Sequence, residues 1–163
     1  MNLFESILAI KKITDGTFSE ILSLEESIKK QKADINRKQR EINNTKYELI
    51  EIVNNYSVLE SKTLIESLDA QNPNNKIKSD NTIFFAQLTK LRYSVPSLFS
   101  NTMFSQLYSD LIKMEKELTE LIKEKNDSIS KFNTLVKSPE MLLIYGNKVN
   151  VNDFIVDYND DID

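Results

Sequence analysis

An apolar residue recurs at every seventh position from Ile21 to Tyr56, within residues 18–70, the longest stretch of this chain that contains neither Pro nor Gly. The repeat is formed by Ile21, Ile28, Ile35, Ile42, Leu49 and Tyr56. A seven-residue period sustained over about five heptads is typical of an α-helix that packs lengthwise against other helices. We therefore expect the repeat to line a core, with Ile35 buried near its centre.

A second row of inward-facing positions accompanies this repeat along the same helix. The middle part of this second row is polar. Its inward positions there are occupied by Gln31, Lys38 and Thr45. The apolar seam is therefore thin, and we expect a local weakness or bend near residues 43–44. Two interpretations are open: separate helices over residues 18–42 and 44–70, or one continuous helix over both ranges.

A third helix is predicted over residues 80–95. It follows a polar, Asn-rich segment, residues 71–81, that reads as a loop. Pro96 is expected to end this helix, because the residue before a Pro is driven out of the helical conformation.

The last long helix is predicted over residues 100–137. Ser100 or Asn101 can cap its first turn, and Pro139 is expected to terminate it. Its apolar stripe consists of Phe104, Leu107, Leu111, Met114, Leu118, Leu121, Ile122, Ile129, Phe132 and Val136.

The two ends of the chain differ from this central part. Met1–Ile13 is a short amphipathic segment, and residues 15–17 (Asp-Gly-Thr) are expected to break it and to cap the next helix. Residues 140–163 are expected to form an extended tail or a small hairpin, with an acidic end.

These elements predict an all-α protein. The expected architecture is an up-and-down antiparallel bundle of about four long helices. A short N-terminal amphipathic helix precedes it, and a C-terminal extended or hairpin tail follows. The corresponding divisions are residues 1–16, 17–139 and 140–163.

The composition argues against catalysis. The chain contains no Cys and no His, which removes thiol nucleophiles, imidazole bases and Cys/His zinc sites. Two-metal carboxylate sites in helical bundles use Glu-x-x-His pairs, so these are not expected either. We predict a protein that is not an enzyme, with no catalytic residues, no cofactor, no metal and no small-molecule substrate.

The net charge of −4 is concentrated at the C-terminus, where residues 153–163 hold five Asp and no Lys or Arg. Nucleic acid is not an expected partner of such an acidic chain. No apolar run of about 18 residues occurs, and Met1–Ile13 lacks the basic start and cleavage site of a signal peptide. We expect a cytoplasmic protein, free or peripheral to a membrane.

Several short motifs occur in a fixed order with nearly gapless spacing. They are Asp34-Ile35-Asn36 followed by Arg37, Lys38 and Arg40; Leu49-Ile50-Glu51-Ile52-Val53-Asn54-Asn55-Tyr56; Glu60-Ser61-Lys62-Thr63-Leu64; Pro96, Leu98, Asn101, Phe104 and Leu107; and Glu115, Asn126 and Asn133. This set, which covers most of residues 18–139, resembles the LemA family. The resemblance implies an antiparallel helical bundle. It implies no particular activity, because the family's biochemical role is poorly defined.

The chain also departs from the family pattern. Lys32 stands where the family has Trp, and Tyr47 stands where it has Pro. The family usually begins with a membrane-spanning helix, whereas only residues 1–17 precede the matching region here, too few to span.

Six basic residues lie close together in the first long helix: Lys29, Lys30, Lys32, Arg37, Lys38 and Arg40. One interpretation is a contact with the phosphates of lipid or nucleic acid. The other is a solvated helix face, which the acidic chain and the lack of nearby aromatic residues favour.

The apolar face of the N-terminal segment is a second candidate site. It comprises Leu3, Phe4, Ile7 and Leu8. This face suits a membrane interface, with Lys11 and Lys12 beside it, or packing on the bundle or on a partner chain. The small basic charge favours packing.

Four polar residues of the predicted bundle form a third candidate: Asp34, Glu115, Asn126 and Asn133. Asn126 and Asn133 lie seven apart and therefore on one helix face. We expect the four to form a buried polar network that fixes helix register; a ligand site is the alternative.

Three functions are compatible with these features. The leading one is a LemA-like interaction or scaffold protein that works through the bundle faces and the two ends. The second is a peripheral membrane protein held by the N-terminal helix and the basic residues. The third is a self-assembling coiled-coil component. A protein partner or self-association is expected, and the apolar residues of the acidic tail are either a docking motif or part of a solubilising tail.

Overall fold

The computed structural model describes residues 3–55, 81–139 and 141–142, without the side chains of residues 3, 4, 7, 81 and 82. Four helices lie in this part of the chain: α1 (Leu3–Asn55), α2 (Asn81–Ser94), α3 (Pro96–Phe99) and α4 (Thr102–Val136). No strand occurs among these residues. The prediction of an all-α protein is confirmed at this level.

The predicted break at residues 15–17 is wrong, because α1 runs through it without interruption. The hydroxyl of Thr14 donates a hydrogen bond to the carbonyl oxygen of Lys11 at 2.8 Å, and that of Thr17 donates to Ile13 at 3.1 Å. Both hydroxyls therefore bond back to the preceding turn and do not cap a new helix. One interior Gly costs a helix only about 1 kcal/mol relative to Ala, which packing elsewhere along α1 offsets.

Residues 43–44 are helical as well, so one continuous helix is observed up to Asn55. Polar residues in the seam reduce the buried apolar area, but they leave the backbone hydrogen bonds of the helix intact. The predicted continuation to residue 70 lies outside the described residues, and so does the loop predicted over residues 71–81 except for its last residue, Asn81, which is helical.

The chain divides into two compact units. Unit 1 comprises Met1–Arg37 and Thr119–Asp163, and unit 2 comprises Lys38–Leu118. The divisions fall within α1 and within α4, so each of these helices contributes one part to each unit. The predicted divisions after residues 16 and 139 stay a prediction.

The seven-residue repeat lies in the core of both units. Its described members, Ile21, Ile28, Ile35, Ile42 and Leu49, are all buried. Ile35 is 1% exposed, which confirms its predicted burial. In unit 1 the repeat packs into a cluster formed by Ile21, Ile28, Ile129, Phe132, Val136 and Met141. The period thus identifies the buried side of α1.

Unit 2 contains an aromatic cluster formed by Phe84, Phe85, Phe99, Phe104 and Tyr108. Phe99 and Phe104 meet edge to face with ring centroids 4.9 Å apart, and the rings of Phe104 and Tyr108 stack with 9° between their planes. Large aromatic side chains dominate the apolar area that a small core buries. The cluster therefore joins α2, α3 and the start of α4.

The start of α4 is fixed by Asn101, one of the two predicted caps. Its Oδ1 accepts a hydrogen bond from the backbone N–H of Phe104 at 3.0 Å. This bond satisfies one of the donors that the first turn of a helix leaves unpaired.

The prolines act as helix boundaries, as predicted. α2 ends at Ser94 because Val95, with φ −134° and ψ 72°, has left the helical conformation ahead of Pro96. Pro96 then opens α3, where its missing N–H has no cost. α4 ends at Val136, before Pro139.

The expected extended tail does not begin at Met141. Met141 and Leu142 are helical, and both backbone N–H groups donate to the carbonyl oxygen of Ser138 at 3.1 Å. The prediction is wrong at these two positions because Pro139 suits the first turn of a helix and Met141 is buried in the core of unit 1. Residues 143–163 lie outside the described residues.

Candidate functional site

Lys29, Arg37 and Lys38, from the set of predicted basic contact residues, pair with carboxylates. Lys29 lies 3.1 Å from Glu25, and Arg37 lies 3.3 Å from Asp34. The pairs made by Lys38 are described below. Neighbouring carboxylates reduce the positive potential that a phosphate would meet. Lys29, Lys30, Lys32 and Arg37 belong to unit 1, and Lys38 and Arg40 to unit 2. Their use as a contact for an anionic surface stays a prediction.

Lys38 links two helices of unit 2. Its Nζ lies 2.9 Å from Oε2 of Glu41 on α1 and 2.8 Å from Oε2 of Glu117 on α4. The hydrogen bonds to Glu117 and Glu41 raise the pKa of Lys38, and the hydrogen bond from Lys38 lowers the pKa of Glu117. The side chain of Lys38 is 17% exposed. Lys38 therefore joins α1 to α4, and little of its side chain is accessible to solvent.

Gln31 makes a corresponding contact in unit 1. Its Nε2 donates a hydrogen bond to Oγ of Ser128 on α4 at 3.0 Å. Gln31 and Lys38 are two of the inward polar positions that thin the apolar seam. Sequence reasoning identified them as weak points and missed that each bonds to α4. The signal was available, since polar residues at inward heptad positions commonly specify partner and register.

An open groove of about 420 Å³ lies beside the Lys38–Glu117 pair in unit 2. It is lined by Glu41, Asn44, Thr45, Asp110, Lys113, Met114 and Glu117. Lys113, whose ammonium group lies 3.9 Å from Glu117, shares this lining with the carboxylates of Glu41, Asp110 and Glu117. A carboxyl beside lysines is held ionised, which is the opposite of what a general acid requires. Within residues 3–55 and 81–142 as described, no group of three side chains is arranged to hold a metal ion.

The four predicted register-setting residues are all half-buried. Asp34 accepts a hydrogen bond from Arg37 on its own helix at 3.3 Å. Asp34, Asn126 and Asn133 belong to unit 1, whereas Glu115 belongs to unit 2. The four do not share one unit, and their register-setting role stays a prediction.

The first half of α1 exposes large apolar side chains. These are Leu8, Ile10, Ile13, Phe18 and Leu22. Leu8 is 58% exposed, Phe18 42% and Leu22 48%. Among the predicted contact residues Leu3, Phe4, Ile7 and Leu8, only Leu8 has a described side chain. Large apolar groups exposed side by side often mark an interaction surface, and Phe18 and Leu22, four residues apart, lie on one side of α1.

Sequence reasoning missed Phe18 and Leu22 as surface residues. They fall outside the core repeat and outside the N-terminal segment that was singled out. Their signal is the four-residue step between them on another side of the same helix, which a search for one apolar stripe overlooks.

The fold and these surfaces define an all-α protein of long helices tied by polar contacts and carrying an exposed apolar face. No family model, no curated protein and no solved structure matches the chain. The resemblance to the LemA family therefore stays a prediction.

Proposed function

We propose that this chain is a non-enzymatic, LemA-like interaction or scaffold protein whose contact surface is the first half of α1. The proposed architecture is an up-and-down antiparallel bundle of about four long helices. An antiparallel pairing of α1 and α4 is supported within unit 2. There Lys38 bonds to Glu117, and the groove brings later positions of α1, such as Thr45, beside earlier positions of α4, such as Asp110.

The exposure of Leu8, Phe18 and Leu22 carries this proposal. Ile21 and Ile28, on a different side of the same helix, lie in the unit 1 core, so the exposed row is additional to what folding uses. Burying a large aliphatic or aromatic side chain contributes about 1.5–3 kcal/mol. A partner that covers this row would therefore gain binding free energy that the folded chain leaves unused.

The proposal that the protein is not an enzyme is supported by composition and by the groove. The chain has no Cys and no His, and the carboxyl of Glu117 in the groove has a lowered pKa because Lys38 bonds to it.

A photo-crosslinking experiment tests the proposed surface. A photoreactive amino acid is placed at Leu22, or at Glu20 as the matched control, in the full chain expressed in cells. Both positions are exposed, and they lie on opposite sides of α1, about 200° apart around the helix. We expect discrete adducts from position 22 and none from position 20. Equal labelling at both positions, or no adduct at either, would contradict the proposal.

A second candidate function is peripheral membrane association. It is favoured by exposed Lys11 and Lys12 next to exposed Leu8, Ile10 and Ile13. None of the described helices combines the length and apolar character that crossing a bilayer requires. The test is flotation with vesicles rich in anionic lipid, comparing the parent chain with a Phe4→Ser, Leu8→Ser double variant. If the parent chain does not float, this candidate fails. In both candidates the proposed location is the cytoplasm.

A further inference from the structure

A second heptad row runs along the first half of α1, on a different side from the core repeat. It consists of Leu8, Lys11, Asp15, Phe18 and Leu22, and every member is exposed. The steps between them alternate three and four residues, which is the spacing of a coiled-coil seam. At about 100° per residue, this outer row lies roughly a quarter to a third of a turn from the buried row that contains Ile21 and Ile28.

We infer that the outer row binds a second copy of this chain, forming a two-fold symmetric, antiparallel coiled coil centred on Ile13. The inference rests on the proposed function, because it names the partner of the same surface. A row that binds itself must be self-complementary, so that each residue and its opposite number suit one another in both directions. The four members of the outer row from Leu8 to Phe18 meet that requirement.

The pairing follows from the numbering. In an antiparallel pair centred on Ile13, residues whose numbers are equidistant from 13 face each other. Leu8 then faces Phe18 of the second copy, and Lys11 faces Asp15. Two-fold symmetry repeats each contact, giving two apolar layers and two opposite-charge layers. Opposite charges at the seam select an alignment more than they strengthen it.

Other alignments lose this match. A parallel pair places Lys11 against Lys11 and Asp15 against Asp15, which is repulsive at both positions. An antiparallel pair shifted by one heptad places Lys11 against Leu22 and Asp15 against Phe18, which buries charges against apolar groups without a partner. One alignment is therefore preferred, because the alternative alignments are unfavourable.

The outer row ends after Leu22. The next two positions with the same spacing are Glu25 and Lys29, which pair with each other on their own helix at 3.1 Å. The paired part of the outer row thus runs from Leu8 to Phe18, or about one and a half heptads on each copy, which is small for a permanent complex. We expect a dissociation constant in the micromolar range or weaker, so the dimer forms where the chain is concentrated.

Sedimentation of the full chain with a charge exchange tests the inference. Measurements cover about 1 µM to about 1 mM, which spans weak and moderately stable complexes. We expect K11E and D15K each to raise the dissociation constant by roughly tenfold, because symmetry converts both attractive layers to repulsive ones. The double variant K11E/D15K exchanges the charges and is expected to restore the parent value. Far-UV circular dichroism controls for folding of each variant.

Disulfide trapping tests the direction of the pair. The chain has no Cys, so a single introduced thiol has no competitor. We expect chains carrying K11C, mixed with chains carrying D15C, to form disulfide dimers about tenfold faster than either variant alone, because a disulfide requires close and correctly directed Cβ atoms. Faster self-coupling of K11C would indicate a parallel pair and overturn the inference.

The remaining outcomes separate this inference from the proposed function. A chain that stays monomeric over the whole concentration range overturns the dimer. If crosslinks at Leu22 then reach a different protein, the proposed function stands without the dimer. A monomer that binds anionic vesicles, and loses binding in K11E, overturns the dimer in favour of a membrane contact. A dimer that K11E/D15K fails to restore overturns the proposed alignment.

Discussion

The ammonium group of Lys38 on α1 lies 2.8 Å from a carboxylate oxygen of Glu117 on α4. The same ammonium group also bonds Glu41, three residues further along α1. One of these contacts joins two helices that are distant in sequence, and the other is local. Only the first can hold the two helices in register, because a local pair within a helix is present whether or not the helix has a partner.

The two carboxylates can be compared directly by mutation. Glu117→Gln is expected to lower the free energy of unfolding more than Glu41→Gln, since it removes the charge-assisted bond between helices. Urea denaturation of both variants and the parent measures the difference. Equal losses, or a larger loss for Glu41→Gln, would show that the link between α1 and α4 contributes no more than the local pair.

The contribution of this pair should depend on pH at both ends of the scale. The pKa of Glu117 is lowered in the folded state by the bond from Lys38, so its stabilisation is present above the pKa of an unfolded Glu and is lost as pH falls through the folded value. The pKa of Lys38 is raised by its bonds to Glu117 and Glu41, so its stabilisation is lost as pH rises through the folded value. The difference between parent and Glu117→Gln should be constant between about pH 5 and pH 9 and shrink outside that window.

Ile35 provides a test of the core repeat. It is buried, and Ile35→Ala is expected to cost about 2–5 kcal/mol of the free energy of unfolding, because it removes buried methyl groups and leaves a cavity. Ile13→Ala is the matched control on the same helix. Ile13 is exposed, and its replacement should change stability by less than about 0.5 kcal/mol. Similar costs at both positions would mean that the buried side of α1 has been assigned incorrectly.

Asn101 and Ser100 were equivalent candidates for the cap of α4, and only Asn101 makes the bond. Asn101→Ala is expected to cost about 0.5–2 kcal/mol, while Asn101→Asp keeps an acceptor and should cost little. Ser100→Ala is expected to be near neutral. Thermal unfolding of the three variants measures this, and the opposite order for positions 100 and 101 would count against the observed cap.

Gly16 distinguishes a continuous α1 from a broken one. A Cβ added at this position meets nothing within 4 Å, and the residue lies inside the helix. Gly16→Ala is therefore expected to stabilise the protein by about 0.5–1 kcal/mol. Ser19→Gly, on the next turn, should destabilise it by a similar amount. A neutral or destabilising Gly16→Ala would indicate that residues 15–17 break the helix after all.

Structural outcomes that many residues or a rigid ring enforce were predicted correctly from the sequence. An outcome that depends on a small energetic cost at one position was not. The seven-residue apolar period predicted the burial of Ile35, and the positions of Pro96 and Pro139 predicted two helix ends, because many residues or a fixed ring enforce these outcomes. Gly16 was misjudged because a cost of about 1 kcal/mol at one position is small beside the packing of a long helix.

The partner of Lys38 illustrates what a period alone leaves open. A seven-residue repeat fixes which face of α4 meets α1, but it defines the alignment only to the nearest heptad. Asp110, Glu117 and Glu124 are spaced by seven and all are acidic. Each would satisfy Lys38 equally well in sequence, so only the structure distinguishes Glu117.

The aromatic cluster of unit 2 gives this protein a built-in optical probe. The chain has no Trp, and the five ring-to-ring contacts of its described part all lie among Phe84, Phe85, Phe99, Phe104 and Tyr108. Near-ultraviolet circular dichroism, which depends on rings held in fixed asymmetric surroundings, should therefore contain a contribution from this cluster that follows the unfolding of unit 2. The far-ultraviolet signal reports the helices of both units. Following heat unfolding at both wavelengths thus measures whether units 1 and 2 melt as one cooperative body, with coincident curves as the signature of a single transition.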